Sequence, residues 1–81
     1  MISSEMIAAL RAGFKDELFE RLGLRSTSDP QGLSFPIGKE CFQLNFMPWG
    51  VHLLHMGTKE DWVFDYEDPN LIEQVFYRLY Q

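Results

Sequence analysis

From Cys41 to Tyr66 apolar and polar side chains alternate in short runs separated by turn residues. Successive side chains of a strand point to opposite faces, so this period of two reads as strand. In 41–47, Phe42, Leu44 and Phe46 fall on one face and Cys41, Gln43, Asn45 and Met47 on the other. One face in the core and one toward water is the expectation. In 62–66, Trp62, Phe64 and Tyr66 share a face opposite Val63 and Asp65. The middle run, Val51 to Met56, is apolar at both parities apart from His52 and His55. It predicts a strand central in its sheet or covered on both sides. Met47-Pro48-Trp49-Gly50 has tight-turn composition, and Gly57-Thr58-Lys59-Glu60-Asp61 reads as a longer polar loop. Connections this short join antiparallel neighbours, because parallel strands need a crossover of about a dozen residues or more. A fourth strand is predicted at Leu33 to Ile37, at an edge, because Pro36 has no N–H to give a ladder.

Outside the sheet the period changes. Over residues 3–23, Met6 or Ile7, Leu10, Phe14, Leu18 and Leu22 recur at steps of three and four, the stripe of an amphipathic helix. Ser3 or Ser4 can cap it, Glu5 suits the positive end of its dipole, and Gly23 followed by Leu24 is a stop. Gly13 costs this helix about 1 kcal/mol against alanine, and marks either close approach of another backbone or a weak point. Residues 25–32 are polar, with a turn signal at Asp29-Pro30-Gln31-Gly32, and predict an exposed, mobile loop. Asp68-Pro69 opens a second helix, with Leu71, Ile72, Val75, Phe76, Leu79 and Tyr80 as its apolar band. The expected fold is therefore α+β: a three- to four-stranded antiparallel meander flanked by an N-terminal and a C-terminal helix, in one small domain over residues 1–81.

Composition narrows the setting. Hydrophobic content of 46% and aromatic content of 15% support a packed core, and argue that a chain of 81 residues leaves some rings at the surface. Cys41 is the sole cysteine, so no disulfide can form within the chain, and a reducing compartment is expected. The opening Met-Ile-Ser-Ser-Glu lacks signal-peptide character, and no run nears the ~20 apolar residues of a membrane span. The cytoplasm is the expected location. Net charge is −5, and residues 41–81 offer only Lys59 and Arg78 against six acids. A phosphate-binding surface needs clustered lysines and arginines, so direct nucleic-acid binding is not expected.

Three sets of residues carry candidate chemistry. Cys41, His52 and His55 are the only soft metal ligands. On a strand the two histidines point to opposite faces, and one thiolate with two imidazoles leaves zinc a ligand short unless a carboxylate joins, so no metal or other cofactor is expected. A nucleophilic thiol would need a lowered pKa and an orienting third group, neither visible here. The second set is the acidic run Glu60, Asp61, Asp65, Glu67 and Asp68. It lacks the central glycine of a calcium loop and reads as solvated, helix-capping surface or as a docking patch for a basic partner. The third is Trp49 at a hairpin tip, where a tryptophan either folds back or serves as an interface anchor.

In size, acidity and ring content the chain resembles immunity proteins, phage-encoded anti-defence inhibitors and secretion chaperones, though no stretch carries a family motif. The expected function is accordingly that of a non-catalytic protein-binding module. It would dock on a larger basic protein through Trp49, Glu60, Asp61, Asp65, Glu67 and Asp68, and inhibit or escort it. One alternative is a small metal- or thiol-dependent enzyme using Cys41, His52 and His55. Another is a self-associating subunit, a homodimer at its simplest.

Overall fold

The computed structural model describes residues 2–28 and 32–80. Helix α1 (Ser4–Leu22) starts where Ser3 Oγ accepts the Met6 amide at 3.1 Å. It ends at Gly23, whose φ of +67° only glycine adopts without strain. The Gly23 and Leu24 amides turn back to the carbonyls of Phe19 and Leu18 at 2.9 and 3.2 Å. Phe14 and Leu18 are buried, with Ile7, Leu10, Leu22 and Leu24 packed beside them. Met6 stands off this stripe, 57% exposed. A Cβ built on Gly13 meets nothing within 4 Å, so no neighbouring backbone explains this glycine.

Strands β1 (Thr27–Ser28), β2 (Gly32–Ile37), β3 (Glu40–Met47), β4 (Gly50–His55) and β5 (Asp61–Phe64) form one antiparallel sheet in sequence order. The α+β arrangement is the expected one, with a two-residue strand added. β1 falls in the segment expected to be a free loop, while Asp29, Pro30 and Gln31 of its turn signal lie outside the described residues. β1 pairs only with Leu33 and Ser34, so Pro36, further along β2, has no strand on its outer side. β2 and β3 are joined by Gly38-Lys39, with Gly38 at φ +62°, the Gly-X signature of a tight hairpin. Pro48-Trp49 connects β3 to β4 between the paired residues Met47 and Gly50.

Register builds the core. Leu33, Leu44, Leu53 and Trp62 form one row across four strands, Phe46, Val51 and Phe64 a second, and Phe35, Phe42 and His55 a third. Both helices lie on this face. Phe14 of α1 sits 5.6 Å from Phe46 and 6.5 Å from Phe76 of helix α2 (Leu71–Leu79), tying three elements together. Each such side chain contributes about 1.5–3 kcal/mol by leaving water. On the other face, with Ser34, Gln43, Asn45, His52, Leu54 and Val63, no helix lies among the described residues. β4 is therefore central but covered on one side only: Val51 and Leu53 are fully buried, His52 and Leu54 half-buried. Its apolar character at both parities reflects an open face, not a second layer.

α2 begins two residues later than the Asp68-Pro69 signal suggests. Asp68 still caps the turn, accepting the Asn70 amide on Oδ1 at 2.8 Å and the Leu71 amide on its carbonyl at 3.2 Å. Leu71, Val75, Phe76 and Leu79 are buried, whereas Tyr80, expected in the same band, is 60% exposed. A bidentate pair clamps the helices: Arg21 Nη2 and Nη1 reach Glu73 at 2.5 and 3.2 Å, Arg21 Nε reaches Glu17 at 2.6 Å, and the guanidinium lies 4.7 Å from the Phe76 ring. The hydrogen bond from Arg21 holds the Glu73 carboxyl below its ordinary range, and Glu73, then Glu17, hold the Arg21 guanidinium above its own. Among the described residues no helix is long and apolar enough to cross a membrane.

Candidate functional site

The acidic run does not form one patch. Strand β5 carries its two halves to opposite ends of the sheet, with Glu60 just before it and Asp61 its first residue, and Asp65, Glu67 and Asp68 after it. Trp49 belongs to the second end. It is 58% exposed, and with Ile2, Met6, Pro48, Tyr66, Asp65 and Glu67 it lines a notch of about 450 Å³. Pro48 holds the hairpin tip, and the Gly50 Cα lies so close under β5 that an added Cβ would sit 2.4 Å from the Phe64 carbonyl oxygen. The hairpin is thereby pinned against the strand that delivers Asp65.

The notch has a firm back wall. Tyr66, past the end of β5 rather than in it, donates its hydroxyl to the Met47 carbonyl at 2.6 Å. Burial pushes this phenol above its ordinary value, with the Arg11 charge pulling the other way. Arg11 itself packs over the Phe46 ring at 5.9 Å. Asp65 Oδ1 accepts the Glu67 amide at 2.8 Å, a local turn that orients the Asp65 carboxylate. Among the described residues none that lines the notch is basic. The notch shares Ile2, Met6 and Tyr66 with a groove of about 740 Å³ between α1 and the start of α2, and Asp68 and Glu73 lie along that groove. Met6 and Ile2 escape a sequence reading because their role depends on which side of the first helix faces the hairpin.

The remaining predicted residues sit elsewhere. Asp61 is on the open sheet face, its Oδ2 2.8 Å from His52 Nε2. Glu60 lies on the helix-covered side, at a cleft of about 600 Å³ with Glu40, Phe42, His55, Trp62 and Arg78.

Cys41, His52 and His55 are not brought together. Cys41 and His52 share the open face, but Cys41 is four residues from Asn45, the partner of His52, so about 13 Å separates their positions along the strand. His55 points to the other face, its ring edge-on to Phe42 at 4.8 Å. Its Nδ1 accepts the Thr58 amide at 3.0 Å, with the Thr58 hydroxyl at 3.1 Å, which places the ring proton on Nε2, 3.0 Å from Glu40 Oε2. Both ring nitrogens are thus committed to shaping the 56–60 loop and holding Glu40. That loop also needs Lys59 at φ +66°. Among the described residues no three His, Cys, Asp or Glu side chains are disposed to hold a metal ion. No protein-family model matches the chain, and neither does any curated protein or solved structure.

Proposed function

We propose that the protein is a docking module whose Trp49 notch receives a lysine or arginine side chain of a basic partner protein, and that the bound partner is inhibited or escorted. The observation that carries this reading is an exposed indole beside two carboxylates, in a notch with no basic side chain among the described residues that line it. An aromatic face attracts a cation through its ring quadrupole, and neighbouring carboxylates add charge and hydrogen bonds. Met6 and Ile2 offer apolar surface to the methylenes of such a side chain, which long cationic residues bury readily. The adjoining groove gives the partner's flanking segment a place to lie, with Asp68 at its near end and the paired Arg21 and Glu73 further along. The net charge of −5 would speed capture of a positive surface.

The test is paired affinity capture from host lysate with wild-type, Trp49→Ala and Asp65→Asn/Glu67→Gln baits, followed by mass spectrometry. A basic protein retained by the wild type and lost by both variants supports the reading. A protein held equally by all three baits, or capture of acidic proteins only, refutes it.

A further inference from the structure

The cleft at the other end of the sheet has different chemistry, and we propose that it binds a free α-amino acid with an apolar side chain. Its walls come from four strands and from the last turn of α2. Phe42 and Leu79 are buried beneath it, at 7% and 5% exposure, and Ile37, Trp62 and the exposed Tyr80 complete the apolar and aromatic lining. Its volume of about 600 Å³ falls within the ~300–1,000 Å³ of small-molecule sites.

Charge selects the ligand. Arg78 extends over the Trp62 ring at 5.7 Å and beside Tyr77 at 5.9 Å, and no carboxylate among the described residues lies within 4.0 Å of it. An exposed guanidinium near two rings, with no carboxylate partner among the described residues, can donate both its N–H arms to a carboxylate. Glu60 and Glu40 occupy the same cleft. A simple anion would meet these two acids, and a simple cation would meet Arg78. A ligand carrying an ammonium and a carboxylate on one carbon meets both signs: its carboxylate toward Arg78, its ammonium toward Glu60 and the Glu40 carboxylate that His55 holds, its side chain on Phe42, Ile37 and Leu79. His55 keeps Glu40 in place through Nε2, and its other nitrogen is occupied by Thr58, so the cleft holds no free imidazole to act as a base. Binding, not turnover, is the activity assigned here.

The experiment is a titration of the isotopically labelled full chain, following the Trp62 indole and the Phe42 and His55 amides by NMR. L-Phenylalanine and L-leucine are the ligands, with glycine, L-phenylalaninamide and N-acetyl-L-phenylalanine as controls. Saturable shifts with the first two, and binding about tenfold or more weaker for each control, are expected. Arg78→Gln should reduce phenylalanine affinity to that of the amide while leaving the amide's affinity unchanged, a pattern that mere unfolding cannot produce. Absence of saturable shifts up to about 10 mM of both amino acids overturns the proposal. So does an amide that binds the wild-type protein as tightly as the acid, or an Arg78→Gln variant that still prefers the acid.

Discussion

The two ends of the sheet are built from the same strands and differ in almost every property that governs recognition. β3 starts in the Arg78 cleft at Glu40 and finishes at the Trp49 hairpin with Met47. At the Trp49 end the indole stands out, at 58% exposure, and every charged side chain among the described residues lining the notch is negative. At the Arg78 end an indole lies half-buried under a guanidinium, and charges of both signs surround an apolar floor. The difference follows from local construction. A two-residue hairpin with proline in it cannot curl over the sheet, so its tryptophan projects. A five-residue loop folded around His55 can, and α2 ends over it. Projecting rings with one sign of charge suit a macromolecular surface; a recess of mixed sign suits a small zwitterion.

The largest test of this division is Phe76→Ala. Phe76 is fully buried, stacks on Phe14 at 6.5 Å and lies under Arg21. Its loss should cost about 3–5 kcal/mol, read as a fall in the urea midpoint. Gly13→Ala, facing open space on α1, should return about 1 kcal/mol in the same measurement. If the ends share one cooperative core, ligand shifts at the Arg78 cleft and partner binding at the notch will weaken in step. Survival of one end alone would show that they are energetically separate.

Trp49→Ala is the next largest effect and should be confined to one end. The expected loss is more than ~2 kcal/mol of partner affinity, with the denaturation midpoint unchanged because the ring is mostly in water. A loss of thermal stability with affinity intact would assign the indole to packing. Smaller again is the charge effect. Asp65→Asn with Glu67→Gln keeps the Oδ1 acceptor for the Glu67 amide and should slow association several-fold at low salt, the difference shrinking as salt rises. Asp61→Asn, paired with His52 on the open face, should change the rate much less. An effect of the double variant on the logarithm of the rate only twice that of Asp61→Asn, in line with two charges removed against one, would mean that only net charge matters.

These outcomes bear on how far the chain could be read unaided. The strand parities of 41–47 and 62–64, the stripe of α1 and its glycine stop were all legible, because each is a local period with a local cap. Trp49 at a hairpin tip was legible for the same reason. The grouping of carboxylates was not: Glu60 and Asp61 are close to Asp65 in sequence, but a strand is straight and puts them at its two ends. Arg78 and Glu40 carried no signal either, being 38 positions apart and joined only when α2 crosses the sheet. The His52–His55 spacing did forecast opposite faces. The commitment of His55 to Thr58 needed the left-handed Lys59, which no residue preference announces.

The smallest expected effect concerns what holds α2, and with it the Arg78 end, in register. Glu73 is kept below the ordinary carboxylate range by its hydrogen bonds from Arg21. A carboxyl whose folded pKa is depressed adds stability above its unfolded value of 4.5, and that contribution disappears as pH falls through the lower folded value. Acidification below about pH 4.5 should therefore loosen the α1–α2 clamp. Amide exchange in α2 should quicken relative to the β3–β4 hairpin, whose Trp49 tip makes no use of the clamp. Glu73→Gln should show the looser behaviour already at neutral pH and lose this part of the acid dependence. If instead hairpin and helix amides respond alike in both proteins, the clamp serves the whole core and the Arg78 end has no special reliance on it.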